Sequence, residues 1–477
     1  MSDLDLCYMP AVRALEAFRN RRLSPVEILR AQIARAEQVE PAVNAFSHRY
    51  FEQALAQAKR AEEKYMKTDG RPRALEGLTL AVKNEMAVKG QPFDSSSLIH
   101  KDEIAAFTEP AVERLFRAGA IQHARSNSPE FSVAGVTYSR LYGVTGTPWN
   151  PKYTCGGSSG GAGACLAAGT ATLATGSDIG GSIRIPAAMC GVAGFKPPFG
   201  RNPASPPFNQ DSYSHVGPLG LTVADCALFQ NVVSGPYPKD IVAIRPKTRL
   251  PLAYPEGQLK GKRIAYSIDL GFNAIAPAVR ANALRTLDLL RAQGAIVEEV
   301  DLGWTREILE AAGAYLDHHF GHYIAEADRN HPDLVTDYVK YYAKRAGTGA
   351  DVKKLAWSLD VAGRIFESFG PLLEKYHAFV CVPLATHEVR ADQPPWEKMI
   401  VDGREIDSDY DWSITYPFNM LSRCPVMVVP AGIGPQGLPT AVQIVARPYD
   451  DRRVFEVAAA IERAQPWLDA PERRPKL

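Results

Sequence analysis

The 477-residue chain has no long apolar run. Its longest such stretches, 378–385 and 425–431, fall far short of the roughly 20 residues needed to span a bilayer, so no membrane span is expected. Charge of one sign is not in excess either: 54 Lys and Arg stand against 53 Asp and Glu, which removes the electrostatic case for nucleic acid or an anionic surface as a partner. The seven cysteines, at 7, 155, 165, 190, 226, 381 and 424, show no CxxC spacing, and an odd, scattered set fits a reducing compartment better than a disulfide framework. The opening residues Met-Ser-Asp-Leu-Asp-Leu-Cys carry acids where a secretory leader needs bases. A cytoplasmic location is therefore expected. No repeat, low-complexity segment, Pro/Gly/Ser linker or charge block divides the chain, so 1–477 is read as one large domain with a loose Pro- and Arg-rich tail at 469–477.

What the chain does have is alternating pattern. Ser24 and Pro25 open a helix with Glu27 in its first turn, and its 3.6-residue apolar period runs through Ile28, Leu29, Ile33, Ala36 and Val39 until Pro41. Strand-like Leu78, Leu80 and Val82 precede a helix-like stretch at 104–118, and the same alternation recurs at 263–266, 277–292 and 296–300. Late strands are expected at 379–382, 426–430 and 440–445, with a closing amphipathic helix at 453–464. The pattern predicts an α/β fold, a mixed central β-sheet flanked by helices.

Residues 155–197 hold eleven glycines in forty-three positions and few large side chains before Ile179. Such density implies positive φ angles or close backbone approach. A phosphate cradle does not fit, because GxxxxGK[ST] is missing and the loop 156–163 has no lysine. Gly156-Gly157-Ser158-Ser159-Gly160 satisfies the G-x-S-x-G of a nucleophile elbow, but the approach from Thr147 to Thr154 is polar and broken by Pro148 and Pro151, where an elbow needs a buried strand. The remaining reading treats Ser158 and Ser182, in separate glycine-rich turns, as one device.

GGSSGG at 156–161, DIGGSIR at 178–184, Ile185-Pro186, and Cys190-Gly191 through Gly194-Phe195-Lys196-Pro197 together resemble the amidase signature family. Upstream, 75–84 resembles the family's lysine strand, and 126–131 its next strand exit; downstream, 419–432 and 437–447 resemble its closing segment. The resemblance places a signature core at about 75–200 and a variable, pocket-forming region at about 300–410. Cys155, the segment 89–97 and Asn84, where an acid is common, depart from usual versions. The resemblance implies an amidase without metal or cofactor, acting with water on a small linear or aryl/alkyl carboxylic amide through a covalent acyl-enzyme, with esters, carbamates and nylon-type oligoamides left open as substrates. It implies Ser182 as nucleophile, Ser158 behind a cis peptide bond as proton relay, and Lys83 as base. A lysine can serve only when neutral, which burial favours. The turn Ile179-Gly180-Gly181-Ser182 can aim N–H groups at one spot, an oxyanion hole worth about 3 to 4 kcal/mol per essential donor. Asp178 is expected to brace that turn, Ser159 to cap it, and Arg184 to be structural rather than a substrate ligand.

The rival is an amidotransferase component that feeds ammonia to a partner protein; a homodimer is left open. His318, His322 and Glu326 fall at metal-binding spacing in a helix at 305–328, but its apolar face, Leu309, Ala312, Leu316, Phe320 and Tyr323, makes them a solvated or pocket-lining stripe. Asp407, Asp409 and Asp411 imitate a calcium loop, yet Trp412 stands where glycine is required. Cys190 reads as a packed small residue. Ten aromatics between Trp304 and Phe369 favour an aromatic or apolar acyl group.

Overall fold

The computed structural model describes residues 2–347 and 351–477. Among these, eleven strands form one sheet. In chain order they are β1 (Phe46–Arg49), β2 (Thr79–Lys83), β3 (Ile121–Ser126), β4 (Leu173–Asp178), β5 (Ala193–Lys196) and β6 (His215–Gly220). The second half supplies β7 (Arg263–Tyr266), β8 (Ile296–Glu299), β9 (Ala378–Cys381), β10 (Val426–Ile433) and β11 (Pro439–Val445). Across the sheet the order is β1-β3-β2-β4-β6-β5-β10-β11-β9-β7-β8. β2 runs parallel to both β3 and β4, and β7 parallel to β8 and β9; the other pairings are antiparallel, so the sheet is mixed.

β2, TLAVK, is buried at every position, which is what a strand covered on both faces requires. Parallel pairing brings the carboxyl ends of β2, β3 and β4 to one edge, with Lys83 opposite Ser126 and Asp178 ending β4. That edge is where open parallel sheets form clefts.

Helices flank the sheet. α1 (Pro25–Val43) starts with a complete capping box, Ser24 Oγ accepting from Val26 N at 3.0 Å and Glu27 accepting from Ser24 N at 2.8 Å. It does not stop at Pro41 as expected but continues to Val43 and ends on Asn44 at φ 54°. Proline this near the terminus removes one bond and disturbs a single turn. The helix expected over 104–118 covers only Pro110–Arg117. The earlier residues are engaged elsewhere: Ala105 N donates to Gln91 O and Phe93 N to Glu103 O, a loop pairing that ends before Pro110 can open the helix.

Two short helices carry the glycine-serine centre, α2 (Gly160–Ala167) and α3 (Arg184–Cys190). α4 (Val223–Val233) packs on β6 and β5, and α5 (Pro277–Ala292) on β10 and β11. A helical layer, α6 (Glu307–Asn330), α7 (Asp337–Ala346) and α8 (Val352–Lys375), is fixed to the sheet by aromatics: Phe369 of α8 meets Phe379 of β9 at 5.1 Å and Trp304 at 5.3 Å between ring centroids. Such pairs add about 0.5 to 1.5 kcal/mol each beyond their burial. α9 (Asp451–Ala464) closes the chain against β10. No helix among the described residues is long and apolar enough to cross a membrane.

Residues 469–477, expected to be loose, are docked instead. Arg474 is buried, donates to Leu468 O at 3.0 Å and to Asp5 at 2.9 Å, and covers the Tyr8 ring. Arg35 of α1 holds Leu477 O at 3.0 Å. A Pro/Arg-rich composition predicts solvation, but arginine also lies flat on aromatic and carbonyl surfaces.

Candidate active site

Lys83 ends β2 with its side chain fully enclosed. Its Nζ lies 2.7 Å from Ser158 Oγ, 2.8 Å from Ser177 Oγ and 3.1 Å from Glu85 Oε1. Its main-chain N–H donates to Thr175 Oγ1 of β4 at 2.9 Å, which locks the strand end. Burial drives the lysine below its ordinary range, and the carboxylates of Glu85 and Asp178 pull it partly back.

Ser158 follows a cis Gly157–Ser158 peptide, as the resemblance implied. The glycines around it serve close approach. A Cβ on Gly161 would stand 2.3 Å from Asn127 N and 2.4 Å from Ala45 O, so no other residue lets α2 seat there. Ser159 does not cap α2 with its side chain. Its Oγ instead donates to Ser177 O and accepts from Ser177 N, both at 3.3 Å, and its N–H donates to Ser182 O at 3.2 Å. Ser159 thus ties the two glycine-rich turns and β4 together.

Asp178 sits under the second turn. One oxygen accepts from Gly181 N at 2.9 Å; the other accepts from Ile183 N at 3.2 Å and Arg184 N at 3.4 Å. Arg184 grips the same carboxylate through Nε at 2.9 Å and Nη2 at 3.0 Å, and spends its remaining donors on Thr415 O, Gln443 and Asn419. The guanidinium is completely buried in this network, and together with Asn419 it outweighs the burial that would raise Asp178, holding the carboxyl well below its usual range. Gly181 N–H is consumed by Asp178. Among the described residues, the N–H groups of Ile179, Gly180 and Ser182 have no protein acceptor, whereas that of Gly181, the third member of the expected set, is already engaged.

Two cavities meet here. The larger, about 460 Å³, is bounded by Ser158, Ser177, Glu85 and Glu109 and by an apolar wall that includes Phe93 and Phe131. The smaller, about 70 Å³, touches Ser182, Gly180, Gly157 and Tyr416. α6 runs past both, and Phe320 lines each of them. The face expected to be the helix's core is displaced: Leu309 and Ala312 are buried as anticipated, whereas Leu316 and Phe320 face the cavities and Tyr323 is 40 % exposed. His322 lines the larger cavity, while His318 Nδ1 is buried without a partner. His319, which sequence reasoning passed over, lines that cavity as well, with Nε2 3.6 Å from Asp211. Asp407, Asp409 and Asp411 are ion-paired to Lys398, Arg345 and Arg306 respectively. Cys190 is buried, its thiol pushed far up by burial.

Sequence reasoning also missed Glu85, Ser177 and Glu109. Glu85 lies in the turn that Met86 N closes on Lys83 O at 3.0 Å, past the end of β2, so strand parity does not reach it. Ser177 and Glu109 reach the site only through β4 and the start of Pro110–Arg117, and no local pattern marks them.

A family model described as Amidase matches residues 27–455. The acylamidase of Rhodococcus erythropolis is 32% identical over 98% of both chains, and a glutamyl-tRNA(Gln) amidotransferase component from Chloroflexus aggregans is 28% identical over 99% of both. The crystal structure of a bacterial aryl acylamidase of the amidase signature family superposes with a TM-score of 0.88 at 26% identity, covering 98% of this chain and 99% of that one. The chain belongs to the amidase signature family and is a hydrolase of carbon–nitrogen bonds.

Proposed function

We propose that the protein hydrolyses N-substituted carboxylic amides, with a short acyl group lodged beside Ser182 and a larger apolar or aromatic amine beside Ser158. The observation that carries this is the enclosed Lys83 Nζ at 2.7 Å from Ser158 Oγ, beside two cavities of unequal size. Ser182 Oγ attacks the carbonyl carbon and gives its proton to Ser158 Oγ as Ser158 passes its own to neutral Lys83. The oxyanion is met by N–H groups of Ile179, Gly180 and Ser182. On collapse the C–N bond breaks, and the proton returns from Lys83 through Ser158 to the departing nitrogen. Water then cleaves the acyl ester by the same relay.

Protonation from Ser158 requires the amine on the Ser158 side, which is the 460 Å³ cavity. The 70 Å³ space beside Ser182 suits only a short acyl chain. This reverses the expectation of an aromatic acyl group: the aromatic excess of 304–369 is divided between core residues such as Trp304 and Phe369 and the wall residues Phe320 and Tyr323. The name of the Rhodococcus relative supports the same class.

The test is a matrix of anilides and alkylamides with acyl chains from acetyl to octanoyl, together with fluorophosphonate labelling read by intact mass. Acetanilides should be preferred, and Ser182→Ala should abolish labelling and turnover. Label on Ser158, or a preference for long acyl chains, would overturn the reading. The amidotransferase relatives support a second reading, release of ammonia for a partner; glutaminase activity and a co-purifying partner protein would select it over the first.

A further inference from the structure

We propose that Glu85 is a positioning residue that sets the pH at which Lys83 becomes a base. The inference rests on the Ser182-Ser158-Lys83 reading and extends it.

A general base must be free of its own proton before it can take another. Lys83 is fully enclosed, which by itself disfavours the ammonium form. Glu85 stands against this. Its Oε1 is 3.1 Å from Nζ, an ion pair, and the nearby negative charge favours the ammonium form. The contact is built rather than incidental. Arg125, itself completely buried in β3, donates through Nη2 to Asn84 O at 2.7 Å, Met86 O at 2.6 Å and Lys83 O at 3.3 Å, gripping the carbonyls on either side of Glu85. Asn84 adds bonds to Asp94 at 2.7 Å and Ser96 at 3.1 Å. These bonds hold the turn, and the Glu85 side chain, 24 % exposed, forms part of the cavity wall.

The other groups around Nζ do not substitute for it. From β4 come neutral Ser177 and Asp178, which is ion-paired to Arg184 and acts on the lysine less than Glu85 does. From the loop before α2 comes neutral Ser158. From β3 comes Arg125, whose charge is spent on carbonyls of the same turn. Beyond Glu85 on the cavity wall stand Glu109, whose own burial raises it to about 7, and from α6 His319 and His322. Glu85 is thus the carboxylate in direct contact with the base. It stabilises ammonium before substrate enters, and the same ammonium after the first proton transfer, when Lys83 must hold the proton until the amine leaves.

Two consequences separate this from a merely structural role. Glu85→Gln keeps size and hydrogen-bonding capacity but removes the charge, so the acid limb of kcat/KM should move to lower pH by about one unit. Stopped-flow acylation should then be faster below the wild-type limb, while the alkaline plateau changes less than about fivefold. Glu85→Asp restores charge and should return the limb toward the wild-type position. The measurement is kcat/KM from pH 5 to 10 on 4-nitroacetanilide for wild type, Glu85→Gln, Glu85→Asp and Lys83→Ala. An unmoved limb in Glu85→Gln, or a plateau lowered with the limb in place, would sink the role of Glu85 while leaving the triad intact. A limb that survives Lys83→Ala would instead sink the triad reading itself.

Discussion

At the scale of single residues, the chemistry depends on charges removed from water. Asp178 and Arg184 are both fully buried and satisfy each other, so each is costly to lose alone. Asp178→Asn should lower unfolding free energy by about 3 to 5 kcal/mol, because it strands the guanidinium. Arg184→Met should cost a comparable amount, and the double variant less than the sum of the two, as a double-mutant cycle in urea would measure. Lys83→Ala separates catalysis from folding differently. On the proposed mechanism it removes the relay's terminus but leaves Ser182 and its turn in place, so anilide hydrolysis should fall by several orders of magnitude. 4-Nitrophenyl acetate should lose far less, since a phenolate departs without the proton an amine needs. Equal losses on both substrates would point to a collapsed site.

At the scale of elements, the turn between β4 and α3 does what neither could do alone. Gly181 sits at φ 131°, and a Cβ there would lie 2.1 Å from Thr415 Oγ1. Gly181→Ala should therefore shift the turn that presents Gly180 and Ser182 N–H, and reduce kcat on the order of a hundredfold. Gly403, at φ 72° with nothing within 4 Å, is the control. Its alanine variant should cost about 1 to 2 kcal/mol of stability from backbone strain yet leave kcat unchanged. Comparable kcat losses in the two variants would show that the contact with Thr415 is unimportant. α6 acts at the same scale, because one helix contributes to both cavities. Substitution of its Phe320 should alter acyl and amine selectivity together.

At the scale of the molecule, some buried acids tie distant helices to one another. Asp225 completes the capping box of α4 and accepts from Val12 N at 3.3 Å, while Glu462 of α9 accepts from Val223 N at 2.9 Å. Burial raises Asp225 to about 7 and Glu462 to about 8. A carboxyl whose folded value is raised contributes stability that is fully present below its unfolded value, about 4, and lost as pH rises through the folded one. The window therefore runs from about pH 4 to about pH 8. Thermal unfolding should move down by several degrees between pH 5 and 9, and Glu462→Gln should flatten that slope. An identical slope in the variant would assign the pH dependence elsewhere.

Local chemistry encodes one part of this protein. The capping box at Ser24, the alternating apolar strands and the dense glycines around Ser158 and Ser182 each carry their reason within a few residues, and the family motifs are contiguous. The spans 263–266 and 277–292 were legible to the residue because turn signals and period end together there. Contacts between distant segments arise only on assembly. Lys83 and Ser158 are 75 positions apart, and Arg184 and Asn419 are 235 apart, so they meet only once β2, β4 and the 417–420 helix are in place. The same holds for the cavity-facing side of α6, whose Leu316 and Phe320 look like core residues by period alone yet line the cavities beside Ser182 and Ser158. It holds too for Glu85, which lies past the end of β2: only the fold of the turn under Arg125 puts its carboxylate on the lysine.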